Sequence, residues 1–441
     1  MLLTERARYW GILLGVTILL LVWYLPGTVA LRNLTIAVLL LLSLPSWRDI
    51  PWKGLRPAWG LLMALSVWML VQWLGWAFQP EIVIRELKGE WLKALLTALL
   101  GLLLASVKRK DGQAMVSPRM IFLIGLSLPA AFAISSLWLY WLYERWLVYP
   151  LWISHRTGVS FWTNIQLGLL MADTLAQLSG RPSALRLPVW ARVSAFGLLL
   201  LTSYVTVTRN GHVATLLICL VGLVIGVWQS TKGIRRLGMF MAGGIALAGL
   251  AWNMFHADTR WLKFVDTLPV AWDTEHHKAW IDGVRYPYPL LPGSNQIIEP
   301  SAYERLAWAK EAAISVARFP MGVGYDRNAF RRALHVRFPN EPRLPGHSHS
   351  GMMDMAIGAG IPGLLLWLAW GTCMIAYGLR LYLRERQSAG LMLAFVVSGF
   401  FARSVLDSNV RDHMLEHFMF LSAYLLAWAY AARSTASGGK L

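Results

Sequence analysis

Apolar runs of about 17–25 residues recur from one end of the chain to the other, the length a helix needs to cross about 30 Å of hydrocarbon. Lipid offers the backbone no hydrogen bonds, so each crossing segment must satisfy its own N–H and C=O groups, and a helical bundle follows. Runs bounded by charge or by Gly and Pro lie near 10–30, 34–46, 59–78, 92–107, 120–142, 160–178, 194–208, 213–229, 237–255, 352–379, 389–405 and 413–432. The expected fold is an all-α integral membrane protein of about 12 transmembrane helices, a single polytopic domain over residues 1–441. One long segment, 256–349, lies outside the bilayer in this reading. With 56% of residues hydrophobic and 15% charged, a soluble globular domain is excluded. The first run follows Arg6 and Arg8, but it is too long for a signal-peptide core and has no clear small-residue cleavage site, so it reads as an uncleaved span.

A formal charge of +18 raises the question of nucleic acid, yet Lys and Arg stand in short clusters between apolar runs and form no patch on polar surface. Membrane orientation accounts for them better, and no nucleic-acid partner is expected. With the N-terminus inside, the inner segments hold 20 Lys and Arg and the short outer ones 9; the remaining 12 fall in 256–349, which is too long to count. This asymmetry puts both termini inside and 256–349 outside, together with the loops around Arg209 and Asp407. Cys219 and Cys373 both lie within apolar runs, so no disulfide framework is expected.

Within 256–349, Ser301 and Glu304 have the spacing of a capping box ahead of an amphipathic helix from about Ala302 to Arg318, stopped by Pro320. The turn Pro320-Met-Gly322-Val-Gly324 leads to a second short helix around Arg327 to His335. The stretch from Asp258 to Pro300 is rich in Pro, Trp and Tyr without periodicity, and is expected to fold back over the membrane with its aromatics at headgroup level.

The most specific pattern is His349-Ser350, nine further residues, then Gly360-Ile-Pro-Gly363. With its long outer loop before the His and an apolar run after it, this resembles the O-antigen ligase and polymerase superfamily. Thr206-Val-Thr208-Arg209-Asn-Gly211 is similar to a Ser/Thr-Arg-Gly segment of that family, with Asn210 inserted. The stretch from Arg305 through Trp308 to Gly324 is similar to its Arg-containing helix followed by Pro-x-Gly-x-Gly. The resemblance covers roughly 195–430.

Each candidate has a chemical and a plainer reading. His349 sits where a loop meets lipid, with an ordinary pKa near 6.5 that suits a general base; otherwise it bonds lipid or backbone. His347, two residues earlier, would share its side in an extended segment, but no third ligand makes a metal site. Arg209, ending an apolar run, either snorkels to headgroups or binds a diphosphate by its guanidinium fork, and Arg305 is a second such cation or a solvated residue. Asp407 orients His349, pairs with an arginine or caps a loop. Asp354 is a further acidic candidate or a partner within the bundle. Ser350 supports the motif, and Gly358, Gly360, Pro362 and Gly363 kink the helix, either for packing or to bring backbone near a lipid phosphate.

The resemblance implies a GT-C-like glycosyltransferase of the bacterial inner membrane with its active site on the periplasmic face, needing no cofactor or metal. The donor would be a glycan on undecaprenyl diphosphate and the acceptor a sugar hydroxyl of lipid A core, joined with inversion, within surrounding membrane lipids. A polymerase or protein oligosaccharyltransferase using the same donor is the alternative. A flippase or transporter, from a different class, would show half-repeats and mid-membrane ionisable groups, and neither is evident in the sequence. The charge asymmetry predicts that reporter tags at the C-terminus and within 108–119 are protected in spheroplasts, while tags within 275–300 are accessible. Protection of 275–300 would remove the argument that the three outer segments converge.

Overall fold

The computed structural model describes residues 5–109, 112–144, 150, 152–153, 156–230, 233–256, 264–293 and 295–437, and over these all regular structure is helical. The helices are α1 (Glu5–Val22), α2 (Val29–Ser43), α3 (Trp52–Trp76), α4 (Pro80–Glu86), α5 (Leu92–Ser106), α6 (Pro118–Gly125), α7 (Ser127–Tyr143), α8 (Arg156–Leu178) and α9 (Val189–Val205). They continue as α10 (Arg209–Ser230), α11 (Ile234–His256), α12 (Phe264–Trp272), α13 (Pro300–Arg318), α14 (Ala329–Arg337), α15 (Gly351–Leu383), α16 (Ser388–Ser404) and α17 (Asp412–Ser437).

Seven helical stretches among the described residues are long and apolar enough to cross a membrane: Val29–Asp49, Trp52–Trp76, Pro80–Ser106, Pro118–Tyr143, Arg209–Gln229, Ile234–His256 and Gly351–Leu383. The other expected spans fall on α1, α8, α9, α16 and α17, which are shorter or more polar. Bulky apolar side chains point outward, among them Leu74, Val189, Trp190, Ile234 and Ile245, as suits a chain whose solvent is lipid. Polar groups turn inward and pair, as where Arg32 and Lys93 meet Glu416 at 3.1 and 3.4 Å and Arg192 meets Asp173 at 2.7 Å.

The structure corrects several boundaries. The first helix is Glu5–Val22, earlier than the run 10–30, because the chain turns at Gly27, whose φ is +73°. Residues 79–93, expected as a loop, are mostly helical: α4 joins α5 through a π-helical turn, Leu87–Trp91. The capping box is replaced by Glu299, whose carboxylate accepts from the Ala302 amide at 2.5 Å; Glu304 instead accepts from the Tyr288 hydroxyl. Of the aromatics expected at headgroup level within Asp258–Pro300, Trp280 turns inward while Trp272 stays exposed. Trp280 and Tyr303 are fully buried, in a second core with Phe330, Leu334 and Ile357, so the segment packs into a unit of its own; residues 257–263 lie outside the described residues.

That unit is fastened to α15 where α15 breaks. Gly360 has φ +76° and ψ 175°, far from helical values, so helical hydrogen bonding is interrupted there. The Pro320–Gly324 turn answers it. The amides of Val323 and Gly324 donate to the carbonyls of Ile357 (2.9 Å) and Gly358 (3.0 Å), and that of Ile361 donates to Pro320 (2.8 Å). The Trp68 indole takes the Ala359 carbonyl at 2.6 Å. The loosened backbone is therefore engaged by protein, which agrees with the packing reading of the kink. Gly363 packs close to Trp68, where an added Cβ would stand 3.2 Å from the indole.

A Cβ at Gly360 would lie 2.5 Å from the Met321 carbonyl carbon, and the φ is one that L side chains resist. Gly360→Ala should therefore lower stability by about 2 kcal/mol or more. Gly197→Ala, on a helix with nothing within 4 Å of the new methyl, should be neutral or stabilising. Thermal unfolding in detergent compares the two, and equal melting temperatures would refute the clasp.

Candidate active site

Asp354, in the first turn of α15, organises the segment before it. Its Oδ1 accepts from the Ser348 amide at 2.8 Å and the Ser348 hydroxyl at 2.9 Å, while Oδ2 takes the Ser408 hydroxyl and meets Arg411 at 3.3 Å. Ser350 is the N-cap of α15, accepting from the Met353 amide and donating to the Ser404 carbonyl at 3.2 Å. Both neighbours of His349 are thus anchored. His349 itself has φ +57°, a left-handed conformation uncommon outside Gly, Asn and Asp. The extended geometry expected for 347–349 is not adopted, yet the two imidazoles still meet edge-on with centroids 4.3 Å apart.

The opposite wall comes from α13. The Trp308 indole stacks on the His349 ring at 4.8 Å with planes 11° apart, and its N–H donates to the Trp280 carbonyl at 2.9 Å. Burial, helped by His347 and the Arg305 guanidinium, pushes the His349 pKa down to about 4; burial also lowers that of His347. The ring is neutral at pH 7 and keeps a lone pair for a proton. It borders a cleft of about 600 Å³, walled by Trp280, Glu304, Trp308, Arg331 and His347.

The other candidates are brought to this end of the bundle by pairing. Arg209, buried at the start of α10, bonds Ser301 at 2.6 Å and Glu299 at 3.5 Å. Arg305 donates to the Asn210 side chain at 3.3 Å, and Asn210 donates to the Leu406 carbonyl at 2.8 Å. The two candidate arginines are therefore linked through Asn210, the residue that follows Arg209 and accepts from Arg305. Asp407 takes the arginine option: its carboxylate accepts from Arg403 at 2.8 Å, and its carbonyl accepts from the Gly351 amide at 2.9 Å, steadying the histidine segment through the backbone. Among the described residues no group of three or more His, Cys, Asp or Glu could hold a metal ion.

Sequence reasoning missed Trp308 as a wall of the site and Glu304 as a cleft residue. The signal was their i, i+4 spacing on a helix next to Arg305, which puts both on one face. Glu299 was missed because its cap precedes the apparent Ser301 start.

A family model described as O-antigen ligase matches residues 194–368, a stretch that holds Arg209, Arg305, His349, Gly360 and Gly363. The chain carries an O-antigen ligase family domain. The match runs from α9 into α15 and takes in the whole extramembrane unit and its clasp, while Asp407 and the last two helices lie beyond it. No curated protein matches the chain.

For His349 as a candidate base the sign of the pH dependence follows from its environment. Protonation removes the lone pair, so kcat/KM should hold steady as pH falls through 6.5 and drop only towards the lowered pKa of about 4. Trp308→Ala uncovers the ring and lets the pKa return towards 6.5, moving the acidic limb upward. Unchanged limbs in the two pH–rate profiles would mean that His349 is not the titrating base.

Proposed function

We propose that this protein is an O-antigen ligase, a glycosyltransferase that moves a glycan from undecaprenyl diphosphate to a sugar hydroxyl of lipid A core on the periplasmic face of the inner membrane. The observation that carries the reading is the neutral His349 ring, pinned between anchored serines and Trp308 at a sugar-sized cleft, with Arg305 beside it, inside the segment matched to the family.

The acceptor hydroxyl attacks the anomeric carbon from the face opposite the diphosphate, the C–O bond to the diphosphate breaks, and the configuration inverts. His349 takes the hydroxyl proton. A base this weak accepts it late, when bond formation has acidified the hydroxyl, and a diphosphate alongside raises its proton affinity. Arg305 and Arg209 hold the leaving diphosphate; at Arg209, binding exchanges the Glu299 carboxylate for phosphate oxygens. Fixed cations of this kind would make a metal dispensable. An apolar groove between α8, α10 and α16, lined by Phe161, Ile165, Leu217 and Phe400 and topped by Asn210 and Arg403, runs to the residue that Arg305 bonds. Such a groove favours a lipid-linked donor over a soluble sugar nucleotide.

The polymerase and protein-glycosylating readings share every step but the acceptor. Purified protein should therefore be given lipid-linked glycan with lipid A core, a second glycan-lipid or a pilin-like protein, in excess EDTA; product with the first alone supports the ligase. His349→Ala should insert and fold yet lose about 10²–10⁴-fold in turnover per folded molecule. Near-normal turnover, or a requirement for divalent metal, would overturn the mechanism.

A further inference from the structure

We propose that Glu304 belongs to the substrate site, its carboxylate accepting a hydrogen bond from a hydroxyl of the acceptor saccharide held in the cleft beside His349. The inference rests on the transferase reading above and names the residue that would orient the attacking sugar.

Glu304 and Trp308 lie one turn apart on α13 and both wall the cleft, so the carboxylate stands on the same helix face as the indole stacked on His349. One carboxylate oxygen is occupied: Oε1 accepts from the Tyr288 hydroxyl at 2.5 Å. Among the described residues Tyr288 is the hydrogen-bond partner of Glu304, which leaves Oε2 for a ligand. A half-buried carboxylate with one neutral partner is costly, and burial is the largest of the influences that raise its pKa. If its work were only to hold Tyr288, a neutral amide would serve at less cost. Charged neighbours do not remove the need: Glu299 opposes the negative charge and Arg305 favours it, while Asp282, Arg331 and Arg343 stand around the same cleft.

The surroundings suit a sugar. Trp308 gives the cleft an aromatic wall, and a carboxylate with a free oxygen is the strongest neutral-pH acceptor for a hydroxyl, since bonds to charged groups are about twice as strong as neutral ones. A hydroxyl bonded to Oε2 has its donor proton committed to Glu304 in the ground state. Glu304 therefore positions the ring, leaving the reacting hydroxyl to His349.

Glu304→Gln separates the two roles, because the amide oxygen still accepts from Tyr288 while the second acceptor becomes a donor. Tyr288→Phe does the reverse, removing the internal bond and sparing the carboxylate. Two readouts are needed: equilibrium binding of delipidated core oligosaccharide, and turnover with lipid-linked donor at varied acceptor. Glu304→Gln should weaken oligosaccharide binding and acceptor kcat/KM by about 10–100-fold, with donor KM and melting temperature unchanged. Glu304→Asp should recover part of the loss, and Tyr288→Phe should lose stability with far less effect on binding. Unaltered binding in Glu304→Gln, or losses in Glu304→Gln and Tyr288→Phe that follow stability alone, would overturn the assignment. Oligosaccharide binding by wild type that depends on Glu304, without any transfer, would instead sustain the subsite and refute the transferase.

Discussion

The break at Gly360 and the turn that answers it hold the rest of the site in place. A helix in lipid that stops being helical leaves carbonyls facing a medium with no donors, and each orphaned group costs several times what a formed bond returns. Val323, Gly324 and Trp68 supply the donors, and Pro320 accepts in return. Because two of those donors follow α13 directly, satisfying the membrane helix also sets where α13 ends. The face bearing Glu304 and Trp308 is thereby brought over His349, so the register of the candidate site is a by-product of backbone accounting.

Charge is used here mainly to join distant pieces of chain. Arg209 with Glu299, Arg403 with Asp407 and Arg411 with Asp354 each tie one segment to another or close a loop on itself. Buried pairs of this kind are weak evidence for stability, since desolvation offsets much of the attraction, but removing one partner is severe. Their consequence for His349 is indirect. They fill the surroundings of His349 with compensated charge, leaving Arg305 and His347 as the neighbours that join burial in keeping its ring neutral.

Much of this was legible in the sequence, and the failures have physical causes. Lengths of apolar runs located the helices, because lipid solvation is a one-dimensional requirement that each segment meets alone. Their ends were missed where polar residues continue a helix: Glu86, Lys88 and Glu90 look like a loop but wind on through a π turn, where Glu86 and Glu90 meet Arg327 and Glu90 accepts from the Asp412 amide. The motif pointed to His349 and Gly360, and the structure gives both special backbone angles, yet it could not reveal what answers the break, because the clasp is made mainly of main-chain groups, with the distant Trp68 indole added. Trp280 looked like an interfacial anchor since composition cannot tell a buried tryptophan from one at a headgroup. Asp407 could be assigned to Arg403 only after folding, for i, i+4 spacing allows the pair without requiring it.

The second core has an implication for how the protein is made. Its interior draws Ile357 from α15, with Met353 packed against it, while the rest comes from segments that precede α15 in the chain. Translation therefore delivers this unit before its last interior residues exist, and its core stays open until α15 is made. Trp280, Phe330 and Leu334 are incompletely covered during that interval, so the rate at which the ribosome supplies α15 sets how long an unfinished hydrophobic surface is available to proteases and holding chaperones.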